Sequence, residues 1–544
     1  MDVQKYTKFP EILKGLGYRM ASCQSYRSRY LETYLRYIQA KSYVVEKDYL
    51  DAGHLKDYAA YYAFRGDQVG KKTTRLHFFS KEREQIADGF EYLSERRLDG
   101  EYDHYLNDGY LGFIVVRPLH ETVIGRTCLR IYGEGIQADW HRHFPSLRTY
   151  KVTVGGMRLS VRSVAFQEQD SEIAACSATA IWHTLHALPH RITTGQIESL
   201  FDISNIAWAT DRQMPAPGET AHRFPTTGLN AGQIQSYLQS KGIDCLVRGF
   251  SGKTKNIGLL EYVQTFCGAG FPLILVGRLY VSKNKDSEYN SGELHAVTVL
   301  GYSEQLNSFA SSASELVGKI YVHDDQLGPF ARYEVQQPEN ALSFSSYLPD
   351  ASHDKTTENS AQNLYAKVDG VHRRLLPVYA IVPIDSGIRY PYENVAAFAK
   401  ALSELIVGQL ETVNNRRPEI EWAVRLQHGS DFKVSLRGAD WIERQVRSGL
   451  LEESYDYVWV VEFSEIIENS TKRERRLTAV FDANQLRQDG ALEAIFASGD
   501  AATIETYEAL LARTMDAWDK GKNRTTFPAL IHPTLNKLAS IIPT

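Results

Sequence analysis

The chain has 544 residues, too many for one ordinary hydrophobic core, and 43% hydrophobic with 23% charged residues excludes a disordered or fibrous protein. Its formal net charge of -5 at pH 7 supplies no bulk positive field, so neither nucleic acid nor a membrane is expected as a partner. No stretch reads as a signal peptide or reaches bilayer length, which makes the cytoplasm the expected location.

Up to about residue 100 the pattern is mainly helical, because LETYLRYIQA and EREQIADGFEYLSERRL place apolar side chains three and four apart. YLGFIVVRPL and TCLRIYG then read as strands. YKVTV and MRLSV flank Gly155-Gly156 as a tight hairpin. Residues 1–148 are therefore expected to form a helix-rich N-terminal module ending in strands.

From Cys176 the run CSATAIWHTLHAL predicts a helix with one large buried face, formed by Ala178, Ile181, Trp182, Leu185 and Leu188, that stops at Pro189. PLILVGRLYV, ELHAVTVLGY and KIYVHDD follow as strands separated by polar loops. LNSFASSAS, at residues 306–314, reads as a mobile insertion, and SHDKTTENSAQN near residue 355 as another surface loop. Past LLPVYAIVPI, a helical run and the strands YDYVWVVEFS and RRLTAVFDAN predict a separate α+β module over residues 391–544. The fold class is α/β in the broad sense (α+β), with a central domain over residues 149–390.

Five cysteines are scattered and never form a CxxC pair, which fits reduced thiols better than disulfides or a zinc site. Cys176 opens a helix, where exposed N–H groups favour the thiolate that a nucleophile needs. Gln169, seven positions earlier, is near enough along the chain to join the Cys176 N–H around a developing oxyanion. His295 opens a strand whose alternate residues Val297 and Val299 face a core, and an imidazole there can serve as base to the thiol. The alternation Ile320, Val322, Asp324 puts a carboxylate on a buried face, where it can fix the His295 tautomer, and points Asp325 away. Gln167 is a rival for Gln169, and Asp325 for Asp324. His183, His186 and His190 recur at helical spacing without an acidic or thiol partner, and read as surface or interface groups rather than a metal site. SGKT at residues 251–254 lacks the earlier glycine of a phosphate loop, since Val247 stands there.

The order Gln169, Cys176, His295, Asp324, with CSATAIW opening a helix and HAVTVLGY on a strand, resembles the papain-like cysteine peptidase superfamily, in particular bacterial C39-like peptidases. The resemblance covers roughly residues 150–385 and implies a nucleophile helix packed on an antiparallel sheet. It implies Cys176 as nucleophile, His295 as base, Asp324 as orienting acid and Gln169 at the oxyanion. Ser177 departs from it, standing where that group has glycine, and the gap from His295 to Asp324 is longer than the pattern's.

What the resemblance implies for function is thioester-forming hydrolysis of a peptide or isopeptide bond, with no cofactor and no metal. The same groups suit a transglutaminase, a deamidase or another acyltransferase, and an inactive papain-like binding module is the reading from a different class. The expected partner is a protein or peptide substrate. The two large flanking modules suggest a regulatory protein partner as well.

Overall fold

The computed structural model describes residues 2–519 apart from interior segments, the longest being 211–227, 283–292 and 345–371. The SGKT run, the loop near residue 355 and His190 lie outside the described residues. Mixed helix and antiparallel sheet make this an α+β protein.

The front of the chain carries a sheet among its helices as well as strands at its end. The two expected helices are present at Tyr26–Tyr37 and Arg83–Glu95, but between and around them runs a five-stranded antiparallel sheet in sequence order. Its strands are β1 (Asp2–Lys5), β2 (Ser42–Tyr49), β3 (Thr73–Phe79), β4 (Tyr110–Val116) and β5 (Ile124–Leu129). The inward side of β3 hides its strand character because it carries polar groups. Arg75 and His77 are buried there, and both reach Glu46 of β2, at 2.6 and 3.2 Å. The expected hairpin is present as β8 (Arg148–Val154) and β9 (Met157–Ser163), and both turn glycines have positive φ, 54° and 87°.

The central sheet has nine strands: β6 (Gly135–Gln137), β7 (Trp140–His143), β10 (Asp244–Gly249), β11 (Leu273–Ser282), β12 (Glu293–Gln305), β13 (Val317–Asp324), β14 (Gly328–Gln336), β15 (Ala341–Phe344) and β16 (His372–Ile384). β12 to β16 form a meander, and β11 pairs with both β12 and β16, closing β11 to β16 into a ring. The Cys176–Ala187 helix packs on β12. Thr298 locks the two together, its hydroxyl donating to the Ala180 carbonyl at 2.9 Å and lying 3.4 Å from the Thr184 hydroxyl.

The last sheet is β17 (Ile420–His428), β18 (Tyr457–Ile466), β19 (Arg473–Asp482) and β20 (Leu492–Ala497), covered by the Tyr392–Asn414 helix. The segment expected as a mobile insertion instead joins the central sheet to this module. Trp422 donates its backbone N–H to Ser311, Arg473 donates to the carbonyls of Leu306 and Ser308, and Ser312 and Ser314 are buried. Its small polar residues suit close approach between modules. Apolar side chains from Val3 to Leu511 form one contiguous core across all three regions.

Candidate active site

Cys176 is the first residue of its helix, and Ala175 stands at the N-cap in extended conformation, with no side chain capping the exposed N–H groups. Alanine is a poor cap, so the first-turn donors are left for another acceptor beside the thiol. Ser177, the departure from the glycine of the C39-like pattern, is buried and accepts the Leu229 N–H at 2.7 Å. Its hydroxyl ties the Gly228–Leu229 segment to the first turn of the helix.

His295, near the start of β12, is buried with its Nε2 2.9 Å from Oδ1 of Asp324 at the end of β13. The Cys176 thiol is a neighbour that also raises the pKa of this ring, so the structure brings residues 176, 295 and 324 together, and the Gln326 side-chain amide lies 3.4 Å from His295 Nδ1. Asp324 is fully buried and well held. Its Oδ2 accepts the Tyr333 hydroxyl at 2.7 Å, and its Oδ1 accepts the Gln326 N–H at 2.9 Å. Burial alone depresses the His295 pKa, but the Asp324 carboxylate and its hydrogen bond outweigh that and hold the imidazole well above its usual range.

Asp325 does not point away. β13 ends at Asp324 and the chain turns there, so strand alternation no longer governs the next side chain, and Asp325 Oδ1 lies 3.8 Å from His295 Nε2. Both its oxygens are buried without a hydrogen-bond partner, and burial pushes its pKa up to about 7. His295, Asp324 and Asp325 place ligand atoms within 4.8 Å of one another, close enough for a cation. Tyr333, Gln326 and His295 already satisfy Asp324, however, and that set fits a proton-bridged pair.

Gln169 is half-buried on the short segment between β9 and the Cys176–Ala187 helix. The residues on both sides of it are pinned from the front module. Glu168 pairs with Arg27 and accepts the Ile124 N–H at 2.9 Å, while Asp170 accepts the Tyr62 hydroxyl and lies 3.8 Å from Arg117. Gln167, the rival for Gln169, lines a cavity with Trp182, His186, Arg126 and Arg148.

Of the histidines read as surface groups, His183 is interior and His186 is half-buried. His183 is buried with Nε2 3.1 Å from the backbone of Gln167, and burial drives the pKa of both His183 and His186 well down, so they are neutral packing groups. Sequence reasoning missed Gln326, Tyr333 and Tyr379. Burial, and after it the neighbouring Cys176, raises the pKa of Tyr379 of β16, and only its place on a strand next to β11 brings it near. All five thiols are free. Burial raises the pKa of Cys23, of Cys245 to about 11, of Cys128 to about 12, and of Cys267 further still.

No protein-family model matches this chain, and no curated protein matches it.

Proposed function

We propose that the protein is a cysteine-nucleophile hydrolase that cleaves a peptide or isopeptide bond through a thioester on Cys176, in a central domain of papain-like kind. One observation carries this reading: a helix-opening thiol beside a buried imidazole whose Nε2 is 2.9 Å from a buried carboxylate. In this mechanism His295 takes the thiol proton, and Asp324 stabilises the resulting imidazolium. The thiolate attacks the carbonyl carbon, and the uncapped Cys176 N–H with the Gln169 amide receives the oxyanion. Collapse breaks the C–N bond, and the leaving amine takes its proton from His295. A water activated by His295 then hydrolyses the thioester. Transamidation or deamidation would use the same steps with a different acceptor or substrate amide.

The test is a comparison of wild-type protein and Cys176→Ala in a cell lysate, with new protein termini and altered side-chain amides read by mass spectrometry. Termini that appear only with wild type support a protease. Altered glutamine amides alone would move the assignment to the acyltransferase side, and no difference between the two proteins would favour the inactive binding module.

A further inference from the structure

A cavity of about 530 Å³ lies between the central sheet and the C-terminal module, a volume in the range of small-molecule sites. Its lining gathers His141 and Arg142 of β7, Arg162 of β9, and Arg425 of β17, and it contains no carboxylate. The two nearest acids are already engaged in its walls. Glu304 accepts from Gln264 at 2.7 Å and lies 3.2 Å from His143, while Glu462 accepts from Arg425 at 2.9 Å. Arg142 and Arg162 therefore line the space together with Arg425, whose guanidinium is paired with Glu462.

One wall is aromatic. His143 stacks on Tyr302 with ring centres 4.7 Å apart, and His141 lies against His143 at 4.0 Å. The lining also takes in Gln264 and Thr265 of a π-helical turn, Val263–Cys267, a form that recurs at functional sites, followed by Gly268 and Ala269. A side chain at Gly268 would press on the Tyr302 hydroxyl, 3.1 Å from its Cβ, so the small residue keeps this wall open.

We propose that this cavity binds a phosphate-bearing small molecule of nucleotide size, at a site separate from Cys176. Guanidinium forks match phosphate oxygens, and arginines from two modules converging on one anion would join those modules. The proposal does not depend on the hydrolase reading.

Isothermal titration of the full chain with ATP and with inorganic triphosphate tests it. Binding of both is expected, weakening as salt rises, with ATP the tighter if its base uses the aromatic wall. Arg162 is exposed on the hairpin, so Arg162→Gln should fold normally, and the Arg142→Gln/Arg162→Gln pair should lose about tenfold or more in affinity. Hydrogen exchange should show ATP or triphosphate protecting residues 263–269 and 425–427. Absence of binding by both probes, or binding undiminished in the double variant, or protection elsewhere, overturns the proposal.

Discussion

Asp324 both holds the His295 ring in place and raises its proton affinity. Asp324→Asn keeps the shape and removes the charge, so the His295 pKa falls and the imidazole becomes a weaker base toward the Cys176 thiol. Alkylation of Cys176 near neutral pH is expected to slow by about tenfold or more, because one pKa unit is a factor of ten in thiolate population. An unchanged rate would show that the carboxylate does not act on the pair. Asp325 gives a second residue-level prediction, with a definite sign. Its folded pKa of about 7 lies above its unfolded value, so its contribution to stability is lost as pH rises through 7. Asp325→Asn should therefore leave stability nearly unchanged at acid pH and raise the melting temperature relative to wild type above pH 7. A difference that stays flat across this window would contradict the burial of that charge. The HDD run made an acid beside His295 legible from sequence, but which acid depended on where β13 stops, and strand alternation carried one residue too far gave Asp325 the wrong direction.

At the scale of the element, the nucleophile helix was legible from its periodicity and its end at Pro189, while its unusual start was not weighed. Ala175 at the N-cap gives up helix stability and leaves N–H donors open beside the thiol. Ala175→Asp should stabilise the protein by about 1 kcal/mol while slowing thioester formation, because the new carboxylate competes for those donors and opposes the thiolate. Thermal melting and acylation measured on the same variant check this, and a gain in both would refute it. Thr298 was read only as one residue of a strand, yet its hydroxyl fastens β12 to the helix. Thr298→Val should cost about 1 kcal/mol, measured by denaturant unfolding. Buried polar residues such as Thr298, Arg75 and His77 are what hydrophobic patterning misses, since their partners lie on other elements.

Across the whole molecule, changes in sequence pattern marked three regions without revealing that they share a core. Phe266 and Trp459 meet at 5.9 Å, Tyr262 and Tyr392 at 5.4 Å, and Tyr30 of the front module donates to the Pro329 carbonyl just beyond the acid pair. The front module also holds both neighbours of Gln169, so its helices and strands are part of what positions the site. A chain ending at residue 390 would expose Phe266 and the face of the central sheet, and is expected not to fold as a soluble unit. Calorimetry of the full chain should give one cooperative transition. Two well-separated transitions would mean that the modules fold independently.

The pairing of thiol and imidazole underlies the whole functional reading, and the alkylation rate of each cysteine by iodoacetamide, resolved by mass spectrometry, tests it most directly. Cys176 should react first among the five thiols, and in His295→Ala it should fall by about a hundredfold or more, toward the rate of the half-buried Cys245. Equal rates for Cys176 and Cys245 in the wild type, or a Cys176 rate indifferent to His295, would contradict it.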